Sequence, residues 1–130
     1  MEINSKKLGE LGEKIAEKFL KKRGYKILDR NYISKFVSGP QRGEIDIIAK
    51  KGDIISFVEV KTLQDQGFSV APEEKVDFFK QRKIEKMIEG WLIEKKVSFE
   101  TPWQIDIVAL RIKPGLKKAK IHHFKNINLM

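Results

Sequence analysis

The sequence predicts an α/β fold, a mixed β-sheet flanked by helices with its elements in the order α-β-β-β-α-β-β. Three observations carry this expectation. A helical period opens the chain, two alternating segments meet at a tight Gly-Asp turn, and a second long helical stretch precedes a further apolar strand. That second helix is long enough to cross over the sheet and bring a parallel strand beside the earlier ones.

In order along the chain, Leu8, Leu11, Ile15 and Phe19 recur at three- and four-residue steps. Ser5 is placed as an N-cap, and Gly24 stops the helix behind Lys21, Lys22 and Arg23. Tyr25 to Tyr32 reads as the first strand, followed by a polar loop with Gly39-Pro40. Glu44 to Lys50 alternates, with Ile45 and Ile47 assigned to one face and Glu44, Asp46 and Ile48 to the other. Ile54 to Thr62 alternates too, with Phe57, Glu59 and Lys61 opposite Val58 and Val60. The long helix is expected from Pro72 or Glu73 to Lys96, its apolar stripe made of Val76, Ile84, Met87, Ile88, Trp91 and Leu92. Trp103 to Ile112 and Lys117 to Phe124 complete the sheet, joined by a turn at Pro114-Gly115.

The 130 residues suit one domain, taken as 1–130, with a single core. The formal net charge of +9 favours a polyanionic partner, although a lysine-rich surface that serves solubility explains it equally well. The absence of cysteine excludes disulfides, thiolate zinc sites and cysteine nucleophiles, and it agrees with a reducing cytoplasm. No stretch reads as a signal peptide or a bilayer span, so the expectation is a cytoplasmic protein without a membrane partner.

The hairpin carries the strongest chemical signal. With Gly52-Asp53 as a two-residue loop, Lys51 faces Ile54, Asp46 falls opposite Glu59, and Glu44 falls opposite Lys61. Directly opposed residues have Cβ atoms about 4.5–5.5 Å apart. Three carboxylates and an ammonium would then share one patch. Acids so close repel unless a cation lies between them, and hard oxygen donors select Mg²⁺ or Mn²⁺. The alternative is a cross-strand ion-pair ladder in which Lys61 neutralises Glu44. On the long helix, Lys80 projects onto the apolar stripe and Gln81 onto its flank, either over a polar pocket or with Lys80 snorkelling off the core's end.

Gly12-Glu13 with Ala16, Gly24-Tyr25, Asn31-Tyr32, Gly43-Glu44-Ile45-Asp46, Phe57-Val58-Glu59-Val60-Lys61, Lys80-Gln81-Arg82 and Ile105-Asp106-Ile107-Val108 occur in that order. Together they resemble the bacterial UPF0102 (YraN-like) family, itself similar to PD-(D/E)xK nucleases near the archaeal Holliday junction resolvases. The resemblance implies a restriction-endonuclease-like core. It implies that Asp46, Glu59 and the Val60 carbonyl are metal ligands, that Lys61 is the catalytic lysine, and that Glu13 joins the catalytic acids from the first helix. By projection alone Glu13 is an ordinary solvated residue beside Glu10 and Glu17. The chain departs from the family pattern at Ile33-Ser34 and Leu63, where arginines are usual, and Arg42 is the expected replacement for the first.

The reading is a Mg²⁺- or Mn²⁺-dependent nuclease acting on DNA, branched or single-stranded forms included, with a homodimer natural for branched substrates. Lys21, Lys22, Arg23, Arg42, Lys80, Gln81, Arg82 and Lys83 are the expected backbone-phosphate contacts. The rival readings are a nucleic-acid-binding module without cleavage and a protein-interaction scaffold. Elsewhere, Trp91 and Trp103 are expected in the core, Tyr25 and Tyr32 in strand packing, and His122-His123 at the surface. Asp106 is either a buried, hydrogen-bonded acid or a helper of the site, with the structural role favoured.

Overall fold

Apolar stripes on two helices and apolar faces on five strands are satisfied by laying the helices on opposite sides of one sheet. The computed structural model describes residues 5–35, 43–64, 78–113 and 118–127, with the side chains of Ser5 and of 78–83 outside that set. The order is α1 (Ser5–Lys22), β1 (Lys26–Tyr32), β2 (Ile45–Lys51), β3 (Ile54–Gln64), α2 (Phe78–Glu94), β4 (Trp103–Lys113) and β5 (Lys118–Phe124). This is the order the sequence predicts.

The strands lie side by side in chain order. β3 pairs parallel with β4, while β1–β2, β2–β3 and β4–β5 are antiparallel, so the sheet is mixed. The expected hairpin register holds from Lys51↔Ile54 to Ile47↔Val58. Gly52 sits at φ 60°, the left-handed conformation that such a two-residue loop requires. Residues 65–77, where the long helix was expected to begin, lie outside the described set.

One core forms beneath α2, where Ile84, Met87, Ile88, Trp91 and Leu92 pack on Tyr32, Ile45, Ile48, Ile55, Phe57 and Ile105. The other forms beneath α1, where Ala16 and Leu20 meet Tyr25, Ile47, Ala49, Val58, Val108 and Leu110. Each fully buried aliphatic side chain contributes about 1.5–3 kcal/mol relative to exposure. Gly24 ends α1 at φ 91°. Tyr25 N–H donates to the Leu20 carbonyl and Gly24 N–H to that of Lys21, a Schellman closure of the helix.

Five expectations need correction. The single core expected is instead two, one on each face of the sheet. On α1 the fully buried apolar side chains are Ala16 and Leu20, whereas Ile15 and Phe19 are half-buried and Leu11 is exposed. Ile45 packs on the α2 side and Ile47 on the α1 side, so they do not share a face. The alternation fails because the β2–β3 pairing stops at Ile47↔Val58, and the chain turns where the strands part. Trp103 is 38% exposed, resting edge-on against Phe57 with ring centroids 6.0 Å apart; it belongs to the rim because it stands at the first position of β4. His123 is not a surface residue: its side chain is 6% exposed and its Nε2 lies 2.9 Å from Asp106 Oδ2. Buried Asp106 requires donors, and β5 brings one to it.

Candidate metal centre at a strand fork

Past Ile47↔Val58 the two strands of the hairpin separate, which leaves β3 backbone groups without a β2 partner. Asp46 fills that gap. Its Oδ2 accepts a hydrogen bond of 2.8 Å from the Val60 backbone N–H, so the carboxylate lies between the strands. This explains why Ile45 and Ile47, on either side of it, pack on opposite faces.

The fork opens toward α1. Asn31 stands at φ 47°, a left-handed conformation that asparagine tolerates better than most residues. Its Nδ2 donates to Glu13 Oε1 at 2.6 Å and to Glu44 Oε1 at 2.8 Å. One carboxamide therefore ties an acid on α1 to one just before β2. Arg30, its neighbour, donates through Nε to Glu17 Oε2 at 2.8 Å and through Nη2 to Glu17 Oε1. Glu13 and Glu17 are one helical turn apart on α1, so consecutive residues of β1 dock on consecutive turns of the helix. The Arg30 bond, joined by Lys21, holds Glu17 well below the ordinary carboxylate range, at about 2.

Glu13, Glu44 and Asp46 each offer an oxygen, and these atoms lie within 4.8 Å of one another. Ligand oxygens on an octahedral Mg²⁺ with bonds of about 2.1 Å are about 3.0 Å apart in cis and 4.2 Å in trans. The cluster therefore fits a small hard cation after modest side-chain rotation, which the half-exposed Glu13 and exposed Glu44 can make. A cleft of about 300 Å³ beside them is lined by Glu10, Glu13, Lys14, Glu17, Arg30, Asn31, Asp46 and Ile47.

Of the residues expected from sequence, Asp46 and Glu13 come together here. Glu59 lies outside the mutual 4.8 Å group; its Oε1 pairs with Lys61 Nζ at 3.2 Å. Lys61 therefore pairs with Glu59 rather than with Glu44, so the ladder that would neutralise Glu44 is not formed. Val60, with Val58, borders the α1-side core, and Gly12 of α1 approaches Thr62. Strand alternation thus assigns Glu59 and Lys61 to the α2 side. Asp46, bonded to the Val60 amide, stands between the two groups.

Lys21, Lys22 and Arg23 are exposed at the end of α1. Lys21 pairs with Glu17 at 3.1 Å, and the Arg23 guanidinium sits 4.4 Å from the Phe19 ring centre. At 1.5 Å per residue they begin about 12 Å along the helix from Glu13. Arg42 lies outside the described residues. Lys80, Gln81, Arg82 and Lys83 belong to α2, but their side chains lie outside the described set.

Two features had no clear sequence signal. Arg30 is an ordinary basic residue until α1 brings Glu17 to it. Asn31 enters only as part of the Asn31-Tyr32 pair in the family resemblance, with no role attached to it. At the other end of β4, buried Asp106 accepts bonds from Gln104 Nε2 at 3.0 Å and the Asn126 backbone N–H at 2.9 Å, besides its contact with His123. Burial pushes this carboxyl up, but those partners together hold it below the usual value.

Fold and site together define an α/β domain with an acid-lined cleft at the fork of its central hairpin. Residues 12–110 match the family model described as "Uncharacterised protein family UPF0102", and the chain belongs to that family. It is 42% identical over 112 residues to the UPF0102 protein of Dictyoglomus turgidum, covering 86% of this chain and 88% of that one. It is 39% identical over 129 residues to the UPF0102 protein of Campylobacter hominis, covering 99% and 100%. Among solved structures it is similar to Pyrococcus furiosus SfsA in complex with Ca²⁺, with a TM-score of 0.37 and 17% identity, over 95% of this chain and 64% of that one. A likeness that slight carries no functional weight. No helix among the described residues is long and apolar enough to cross a membrane.

Proposed function

We propose that the chain is a divalent-metal-dependent nuclease acting on DNA phosphodiesters. The observation that carries this reading is the meeting of Glu13, Glu44 and Asp46 within 4.8 Å at the mouth of the fork. Asp46 is the shared ligand, with Glu13 and Glu44 on the α1 side and Glu59 and the Val60 carbonyl as the donors expected from β3. Mg²⁺ or Mn²⁺, when bound, would lower the pKa of water and shield charge developing on the phosphate.

The remaining work falls to the chain's own residues. Asn31 holds Glu13 and Glu44 at one spacing, so little reorganisation is needed when a cation arrives. The Val60 amide fixes the Asp46 carboxylate between the strands. Lys61, held beside Glu59, supplies a positive charge on the β3 side for the nucleophile or the developing oxyanion. Basic residues along α1 and α2 would hold the backbone of the substrate, and a symmetric dimer would supply two such clefts to branched DNA.

The test is a cleavage assay on linear, single-stranded and four-way DNA with Mg²⁺, Mn²⁺ or EDTA, comparing wild type with Asp46→Asn, Glu13→Gln and Lys61→Ala. Cleavage should require the metal and fall at least 100-fold in Asp46→Asn, which corresponds to about 2.7 kcal/mol of lost transition-state stabilisation. In parallel, Mn²⁺ at 100 times its Kd should stabilise the wild type by about 2.7 kcal/mol. Metal-independent cleavage that survives all three substitutions would remove the proposal. Salt-sensitive binding without cleavage would favour the non-catalytic module instead.

A further inference from the structure

The carboxylates of the cleft present a difficulty for any polyanionic substrate. Glu13, Glu44 and Asp46, with Glu10 nearby, repel a phosphodiester, and a cation among them answers only part of that repulsion. Arg30 stands on the same cleft with its side chain 54% exposed, within reach of an incoming strand. Its Nε and Nη2 are engaged by Glu17, which uses two of the five N–H donors of the guanidinium. The Nη1–Nη2 edge retains donors in the fork geometry that grips two phosphate oxygens at once.

We infer that Arg30 is the phosphate-binding residue of this cleft, held in orientation by Glu17, and that its ligand is a backbone phosphate of the nucleic acid. The inference rests on the nuclease reading for the identity of the polyanion. Orientation is the main argument. An unrestrained arginine must give up rotamer freedom to clasp phosphate, whereas this one is already fixed by a bidentate partner. Glu17 titrates at about 2, so the clamp persists throughout the pH range of an ordinary assay. The left-handed turn at Asn31 is what directs Arg30 and Asn31 to the same helix. Through it the anion-binding group stands next in sequence to the amide that ties Glu13 to Glu44. Lys14, also on the cleft, adds charge at the rim.

The experiment measures equilibrium binding of fluorescent duplex DNA in EDTA, where cleavage does not intervene, across a range of salt concentrations. Wild type should show log K falling linearly with log salt. Removing one phosphate contact should flatten that slope by about 0.9, so Arg30→Gln is expected to do so and to weaken binding severalfold at low salt. Glu17→Gln removes one carboxylate charge, keeps Arg30 charged and frees its side chain. It should leave the slope near wild type while lowering affinity. A tie that merely fastened α1 to β1 would lower thermal stability in both variants and leave the salt slope of Arg30→Gln at the wild-type value, which overturns the inference. Should Arg30→Gln fail to fold, Arg30→Lys decides. Weaker binding at an unchanged slope supports the bidentate clasp, and wild-type affinity overturns it. Wild type that binds DNA without salt dependence overturns it as well. A slope change in a protein that never cleaves would keep Arg30 in place and remove only the nuclease reading.

Discussion

Substituting Gly12 by alanine tests how α1 is held against the sheet. A Cβ at this position would lie 1.8 Å from Thr62 Oγ1, 2.8 Å from Thr62 Cβ and 2.9 Å from its Cγ2. Ordinary carbon contacts are about 3.5–4.0 Å. Rotating Thr62 cannot relieve all three clashes, because its Cβ does not move with χ1. The helix must therefore lift from β3 or the strand must yield, and overpacking of this kind costs about 1–3 kcal/mol. Alanine returns about 1 kcal/mol over glycine in a helix interior, which leaves a net loss of about 0–2 kcal/mol. Urea unfolding with an unchanged m-value would measure it, and the melting temperature should fall by about 4 °C per kcal/mol. Thr62→Ala, which removes Oγ1 and Cγ2, should recover part of the loss in the double variant. Because Glu13 follows Gly12, the Mn²⁺-induced stabilisation should shrink in the single variant too. A Gly12→Ala protein more stable than the wild type would mean that overpacking costs less than helix propensity returns, and that the close approach at Thr62 is not made.

Two further outcomes follow from the hydrogen-bonding pattern. Asp106 has a folded-state pKa below its ordinary value of 3.8, so its contribution is present above that value and is lost as pH falls through the lower folded value. Asp106→Asn should therefore cost about 1.5–3 kcal/mol at pH 7, and the gap to wild type should narrow in strong acid. A gap of constant size from pH 7 downward would contradict this. At Asn31, leucine meets a left-handed backbone at a cost of about 1–2 kcal/mol, whereas glycine does not. Asn31→Leu should consequently unfold at lower urea than Asn31→Gly, and both should show a weakened Mn²⁺ response because the bridge between Glu13 and Glu44 is gone. Equal midpoints in the two variants would argue against the strained conformation.

The hairpin register was legible because Gly52-Asp53 has few ways to turn, and the alternation on either side agrees with it. The second helix was legible from its apolar stripe, and Ile84, Met87, Ile88, Trp91 and Leu92 are all buried as expected, whereas on the first Leu11 is 37% exposed and Ala16 and Leu20 are the apolar residues fully buried. What alternation could not show is where a strand stops alternating. Ile45 and Ile47 are two residues apart and would share a face in any regular strand, yet the parting of β2 and β3 separates them. The site was half visible for the same reason. Asp46 and the Glu59-Val60-Lys61 run are local patterns, whereas Glu13, Asn31 and Glu44 meet only when three elements pack. His123 reaches Asp106 across β4 and β5, a contact that no local pattern encodes.

The parting of the hairpin also bears on how Asp46 should be altered. That residue completes a backbone hydrogen bond that a neighbouring strand would otherwise make. Truncation to alanine would leave the amide of Val60 wanting an acceptor in a partly buried place, so loss of the proposed metal ligand and a loosened sheet would look alike. Asparagine keeps an oxygen for that amide while discarding the negative charge. In this chain the loss of a ligand and the loss of a structural brace can be told apart only by the gentler substitution.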